Sequence, residues 1–149
     1  MRINFPILFF SKKEKHEILQ AIRQAESKTS GEIRIRVQRS TDDNILGHAA
    51  HIFERMGMAN TLERNGVLIL FGLKKRRFAL AADKGIFEKV PQNFWDDIVK
   101  VMSEEFKKDH FATGLSHGIR LIGEKLQDYF PVPEKNANEL PDRISYSWK

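Results

Sequence analysis

The sequence predicts an α/β layer fold, in which helices pack on a mixed β-sheet. Over several segments apolar residues recur every three or four positions, as in amphipathic helices, whereas residues 32–39 alternate strictly between apolar and polar, as in a strand. Residues 67–71 form an uninterrupted apolar run, which is typical of a strand buried on both faces. The predicted order is helix, strand, helix, strand, strand, helix, helix, and 149 residues are expected to form one core.

A capping box predicts where the first helix begins. Ser11 and Glu14 are spaced so that the serine hydroxyl accepts a hydrogen bond from the backbone amide of Glu14, while the glutamate side chain accepts one from the backbone amide of Ser11. The apolar stripe of this helix consists of Ile18, Leu19, Ile22 and Ala25. A polar, glycine-containing stretch at residues 29–31 is expected to end it.

The alternating segment, residues 32–39, is predicted to be the first strand. The apolar residues on one of its faces are Ile33, Ile35 and Val37. The opposite face carries Arg34 and Arg36, which favours a strand that is half exposed or close to an edge of the sheet.

The central strand is predicted at residues 66–71, after a second helix that runs from Asn44 to about Met58. Because a helical crossover joins parallel strands with a right-handed turn, the first and central strands are expected to be parallel. A short charged link, residues 72–77, leads to a third strand at residues 78–82. So short a link can join only antiparallel neighbours.

Two further amphipathic helices follow a short helical turn predicted at residues 86–90. Asn93 is expected to cap the first of these helices, and Asp109 the second. Gly114 and Gly118 lie four residues apart on the last helix. Their spacing predicts a close approach to a neighbouring helix.

The chain ends are expected to flank a single domain over residues 11–130. Residues 1–10 are predicted to be extended and to belong to the mature protein, because no small-residue cleavage site follows their apolar run. The tail, residues 131–149, holds three of the five prolines and is also predicted to be extended. Its last alternating apolar residues are Ile144, Tyr146 and Trp148. This pattern predicts that the tail docks, either on its own domain or on the sheet edge of a neighbour.

Composition limits the possible functions. The 25 Lys and Arg residues exceed the 20 Asp and Glu residues by only five and are mixed with them, which favours a solvated surface over a nucleic-acid interface. The chain has no cysteine, which excludes disulfide scaffolds and thiol nucleophiles and fits a cytoplasmic location. No membrane-spanning segment is expected. The sequence lacks the motifs of phosphate-binding loops, dinucleotide-binding folds, esterases and zinc proteases. No organic cofactor is expected.

Short motifs in a fixed order resemble the TPM domain family. They include Thr-Ser-Gly-Glu-Ile at 29–33, Arg-Asn-Gly-Val-Leu-Ile at 64–69, Asp-Lys-Gly-Ile at 83–86 and Asn-Glu-Leu-Pro-Asp at 138–142. The resemblance implies a three-layer α/β/α sandwich with a small mixed sheet of about three or four strands, flanked by four main helices. Among the family's long and short forms, the chain is similar to the short stand-alone bacterial one.

The resemblance also implies possible activities. Plant thylakoid members of the family are linked to photosystem II repair and acid phosphatase activity, and some members bind divalent cations. Longer members have a glycine-rich segment after the third strand. This chain has Ala82 to Ile86 in its place, which weakens the expectation of phosphatase activity.

Three polar groupings have ordinary structural interpretations beside functional ones. His48 and His51, three residues apart, match a metal-ligand spacing but lack a third ligand, so solvent-facing histidines are favoured. The basic link at residues 74–77 could bind phosphate, but the favoured interpretation is an ordinary charged turn between two antiparallel strands. Asp96 and Asp97 are expected in the first turn of a helix, where carboxylates complement the helix dipole.

The predicted topology suggests a metal site. The starts of two parallel strands and the end of the antiparallel third strand share one rim of the sheet, which brings together Glu32, Asn65 and Asp83. Carboxylate and amide oxygens suit calcium or magnesium, and Ser30 and Glu63 are further candidate ligands. The alternative is structural: Asn65 and Asp83 cap local turns, and Glu32 pairs with a lysine.

Two functions follow from these observations. The favoured one is a non-catalytic module that binds a divalent cation and a protein partner. The alternative is a metal-assisted acid phosphatase that acts on phosphate monoesters. The sequence contains no motif placed for attack on phosphorus, and it leaves the partner and the oligomeric state open.

Overall fold

The computed structural model describes residues 2–133 and 144–147, which form an α/β fold. Four helices of eleven or more residues and two short ones pack on a four-stranded mixed sheet. In chain order the elements are α1 (Pro6–Phe9), α2 (Lys12–Glu26), β1 (Glu32–Gln38), α3 (Ile45–Arg55), β2 (Gly66–Gly72), β3 (Arg77–Ala82), α4 (Lys84–Lys89), α5 (Asp96–Lys107), α6 (Phe111–Leu126) and β4 (Ile144–Ser147). The α/β class and the sequence of main elements predicted above are confirmed.

The sheet has the strand order β3-β2-β1-β4. β1 and β2 are parallel, with Ile35 opposite Ile69, and β2 and β3 are antiparallel, as predicted. β4 adds a parallel partner on the free side of β1 and places Val37 opposite Tyr146. β1 is therefore not itself an edge strand, because a strand formed more than a hundred residues later covers its free side. Six of its seven residues are buried, so the half exposure predicted above is wrong.

The helices lie on both faces of the sheet, which gives the three layers. The larger core, formed with α2, α5 and α6, includes Val67, Ile69 and Phe71 of β2. The smaller core, under α3, includes Leu68 and Leu70 from the same strand. The apolar run of β2 is thus buried on both faces, as the sequence indicates.

Glycines allow the last helix to pack closely. A Cβ on Gly114 would overlap the ring of Phe106, and one on Gly118 would overlap the side chain of Met102. Both neighbours belong to α5, so the predicted close helix approach is confirmed. Gly123, one turn further along, contacts the backbone of α2 in the same way at Ala25.

Several predicted boundaries are corrected. α5 begins at Asp96, with Trp95 at its N-cap, because a turn in which Asn93 offers its carbonyl precedes it. α6 begins after His110, and Asp109 instead has a positive φ of 60° in the link between the helices.

The chain ends also depart in part from expectation. The N-terminal segment predicted to be extended contains the short helix α1, in which Pro6 occupies the first turn, where its fixed φ favours a helix. In the tail, β4 pairs with β1 of the same chain, which confirms that the tail docks and shows that it docks on its own domain. Trp148 and the family-like motif at 138–142 lie outside the described residues.

Candidate functional site

The candidate metal residues lie where the parallel strands begin, at what is called here the amino rim of the sheet. Glu32 is paired with Gly66 in the register of β1 and β2. The amide of Glu32 donates to the carbonyl of Asn65 over 3.4 Å, and the amide of Asp83 donates to the carbonyl of Gly66 over 3.0 Å. The backbone of all three candidates therefore meets at this rim.

Three of the candidate side chains form a hydrogen-bonded group. The hydroxyl of Ser30 donates to a carboxylate oxygen of Glu63 over 2.6 Å. Asn65 is 1% exposed, and its Nδ2 donates to the Ser30 Oγ over 3.1 Å and to Glu63 Oε2 over 3.4 Å. The amide oxygen of Asn65, Oδ1, is buried and has no hydrogen-bond partner within the described part of the chain.

Asp83 is held by a different set of contacts. Its carboxylate accepts two hydrogen bonds from Arg64, from Nε over 2.7 Å and from Nη2 over 2.8 Å. It also accepts the amide of Lys84 at the N-cap of α4, as the structural alternative predicted. The pKa of Arg64 is raised above its ordinary value, chiefly by the hydrogen bond to Asp83. A cation bound at Asp83 would compete with this guanidinium.

Local backbone geometry fixes the loop that carries Glu63, Arg64 and Asn65. Arg64 has a φ of 51°, which turns the chain sharply before β2. A Cβ on Gly85 would overlap the carbonyl oxygens of Glu63 and Arg64, so only glycine allows α4 to start this close to the loop. The loop is therefore positioned by tight packing against the start of α4.

The amino rim offers hard oxygen atoms of the kind that calcium and magnesium prefer. The unpartnered Oδ1 of Asn65 fits a cation, because a buried acceptor without a donor is costly unless something positive contacts it. Glu63 supplies the negative charge, and Ser30 a hydroxyl. Within residues 2–133 and 144–147, no group of three or more His, Cys, Asp and Glu side chains is placed to share a metal ion. The site at Glu32, Asn65 and Asp83 stays a prediction.

The opposite, carboxyl rim holds a crevice that sequence reasoning missed. This carboxyl-rim crevice has a volume of about 560 Å³ and is lined by the end of β1, the loop after it, α3 and Ser147 of β4. Arg36 of β1 and Arg55 of α3 are its two permanent cations among the described lining residues. The sequence signal for this crevice is the polar face of β1, which carries Arg36. That pattern alone does not distinguish a binding crevice from exposed sheet surface.

Both histidines of α3 line the same crevice. His51 is exposed, as predicted, whereas His48 is half-buried. The Nδ1 of His48 accepts the amide of Asp42 over 2.9 Å, and its Nε2 lies 3.1 Å from the side-chain nitrogen of Gln38. His48 is thus a structural part of the crevice wall.

The remaining polar groupings have the structural roles favoured by the sequence. The basic link after β2 forms a tight turn, in which the guanidinium of Arg76 lies 4.7 Å from the ring centroid of Phe9 and 5.3 Å from that of Phe111. Asp96 and Asp97 occupy the first turn of α5.

None of the described helices is both long and apolar enough to cross a bilayer. No functionally curated protein matches the chain. Ten chains of solved structures match it. The NMR structure of the BA42 protein from the psychrophilic bacterium Bizionia argentinensis is 36% identical in sequence, with a TM-score of 0.89, and the match covers 93% of this chain and 96% of that one.

Two more of the matching structures show the fold alone. The N-terminal domain of a protein from P. gingivalis is 22% identical, with a TM-score of 0.66, over 81% of this chain and 78% of that one. The N-terminal domain of cg2496 from Corynebacterium glutamicum is 10% identical, with a TM-score of 0.63, over 91% of this chain and 79% of that one. The family model described as TPM domain matches residues 6–125. The chain therefore belongs to the TPM domain family.

Proposed function

We propose that this TPM domain is a non-catalytic module that binds a divalent cation, calcium or magnesium, at the amino rim and presents the domain to a protein partner. The observation that carries the proposal is the buried amide oxygen of Asn65, which has no hydrogen-bond partner among the described residues. It belongs to a side chain whose amide nitrogen contacts the carboxylate of Glu63. In a protein interior such an oxygen is stabilised by a positive charge.

The side-chain contacts support different proposed roles for the candidate ligands. Asn65, Glu63 and Ser30 are the proposed direct ligands, since hydrogen bonds already hold their side chains in one group. Glu32 is 4% exposed on the same rim and is proposed to contribute negative charge. Asp83 is proposed to act on the site through Arg64 and the start of α4, because its two oxygens accept donors from both.

Thermal unfolding with and without calcium tests the cation site. A ligand that binds only the folded state stabilises it by about 1.4 kcal/mol at ten times its Kd. For a domain of this size the melting temperature would rise by roughly 3–6 °C. Glu63→Gln should abolish the rise while leaving the fold intact, because the Glu63 side chain is exposed.

A matched variant controls for the loss of one negative charge. Glu104 is an exposed glutamate on α5, far along the chain from the amino rim, so Glu104→Gln should respond to calcium like the wild type. Magnesium is titrated in parallel. A melting temperature that is indifferent to both ions at millimolar concentration, or an equal response in the two variants, contradicts the proposed site.

The protein-interaction half of the proposal is supported by the N-terminal segment. Exposed large apolar side chains concentrate there: Ile3, Phe5, Ile7 and Leu8 are 41–59% exposed. Such a concentration is typical of an interaction surface. A photo-reactive amino acid placed at Leu8 in the cells that produce the protein should cross-link one defined partner. The same probe at Leu62, an apolar residue outside this segment that is 93% exposed, should not. Equal yields at both positions argue against a partner surface in this segment.

Two further expectations belong to the proposal. The cytoplasm is the proposed compartment, and fractionation of the producing cells checks it. Phosphate monoester hydrolysis, the alternative function, is expected to be absent, because a phosphatase needs several kcal/mol of selective transition-state stabilisation from positioned groups. Turnover that survives purification and disappears in Glu63→Gln would favour the phosphatase instead.

A further inference from the structure

The carboxyl-rim crevice lies at the carboxyl ends of two neighbouring parallel strands, β1 and β4. The chain leaves β1 into α3, which packs over β2 and β3. β4, on the other side of β1, follows α6, which belongs to the layer on the opposite face. In open α/β sheets, ligands bind in crevices outside the carboxyl ends of the strands. The carboxyl ends of β1 and β4 border this crevice.

The charges that face the crevice are mainly positive. Arg36 is half-buried, and burial together with the nearby charge of Arg55 lowers its pKa from the ordinary value. Its Nε is buried without a hydrogen-bond partner within the described residues, and its Nη1 makes only a 3.5 Å contact with the carbonyl of Tyr146. A guanidinium has five N–H donors, and Arg36, which lines the crevice, uses only one of them in a described hydrogen bond.

Acidic residues do not balance these cations. Asp42 is the one carboxylate among the described lining residues, and it lies exposed in the loop after β1. The described salt bridges of the chain include neither Arg36 nor Arg55. Two neighbouring guanidinium groups repel each other unless an anion lies between them, and an oxyanion matches their planar forks.

We propose that the carboxyl-rim crevice binds the oxyanion group of a small molecule, a phosphate or a carboxylate, through Arg36 and Arg55. The volume of about 560 Å³ falls within the range of small-molecule pockets and exceeds that of a bare ion. Ser40 and Thr41 supply hydroxyl groups for the remainder of the ligand. This site is distinct from the proposed cation site, since it lies at the other end of β1.

Amide NMR shifts of the full chain test the proposal. Inorganic phosphate and succinate are titrated separately at constant pH and ionic strength, with EDTA present so that no metal ion bridges protein and anion. Saturable shifts are expected at residues 36–42 and 48–55. Saturation by phosphate alone identifies a phosphate ligand, by succinate alone a carboxylate ligand, and by both an oxyanion site that accepts either source.

Matched arginine variants separate the site from general surface charge. Arg55 and Arg23 are exposed and occupy the last turns of α3 and α2, respectively. Arg55→Gln should raise the Kd of the anion by about tenfold, the effect of losing one charge-assisted hydrogen bond. Arg23→Gln should leave it unchanged. Arg36→Lys keeps the positive charge of the crevice but removes the planar guanidinium that can donate two parallel hydrogen bonds to an oxyanion. This variant should also bind the anion more weakly.

Three results would overturn the proposal. In the first, the amide shifts saturate with neither anion. In the second, the shifts fall at residues outside the carboxyl rim. In the third, the Arg55 and Arg23 variants weaken anion binding equally. Because every sample contains EDTA, each of these results leaves the calcium experiment at the amino rim untouched.

Discussion

Replacing Ile144 by alanine tests whether β4 closes the sheet. Ile144 is 9% exposed and belongs to the main core, although it lies in the short strand beside β1. The substitution removes three carbon atoms, each of which contributes about 0.8 kcal/mol when buried. Little of this contribution is lost to solvent, so the free energy of unfolding should fall by about 2 kcal/mol and the melting temperature by roughly 4–8 °C.

Urea unfolding followed by circular dichroism measures this change. Val132, 39% exposed shortly before the tail strand, provides the control. Val132→Ala should change the free energy of unfolding by no more than about 0.5 kcal/mol, as is usual for surface substitutions. If Ile144→Ala costs no more than Val132→Ala, β4 does not stabilise the domain and the internal position of β1 would be refuted.

Two further predictions concern helix packing and pH. Gly123→Ala should lower stability by about 1–3 kcal/mol, because its Cβ would lie 2.6 Å from the Cα of Ala25. Gly118→Ala should cost less in the same urea assay, since it meets the side chain of Met102, which can change rotamer. The hydrogen bond from Arg2 lowers the pKa of Glu14 from 4.5 to about 2, so its contribution is present above pH 4.5 and is lost as the pH falls towards 2. Glu14→Gln keeps the capping box but has no carboxylate to titrate, so the variant should lose about 1 kcal/mol less stability on acidification than the wild type. The value is small because both side chains of the ion pair are partly exposed. Equal losses of unfolding free energy in wild type and variant between pH 5 and pH 3 would contradict the assignment.

Local patterns predicted most of the fold. The capping box at Ser11 begins α2 as expected, and the apolar run of β2 is buried on both faces. The position of β1 was missed because it depends on pairing with β4, more than a hundred residues away. The start of α5 was also missed, since Asn93 is a good cap by residue type but lies in the preceding turn.

The candidate sites show the same division between local and distant information. Strand directions alone place Glu32, Asn65 and Asp83 at one rim, because parallel strands begin on the same side. The choice between ligand and structural roles depends on side-chain contacts, such as the two hydrogen bonds from Arg64 to Asp83. No sequence pattern links Arg36 to Arg55, because a strand and a helix bring them together only in the folded chain.

The two proposed sites lie at opposite ends of one strand. β1 has seven residues, so its ends are about 20 Å apart at roughly 3.3 Å per residue. This distance is about two and a half times the Debye length of about 8 Å at physiological ionic strength, and direct attraction between a cation at one rim and an anion at the other is therefore largely screened. Coupling between the sites would have to pass through movement of β1, which is paired on both sides and packed between two cores. A strand held in this way resists displacement, so the amino rim and the carboxyl-rim crevice should bind their ligands independently.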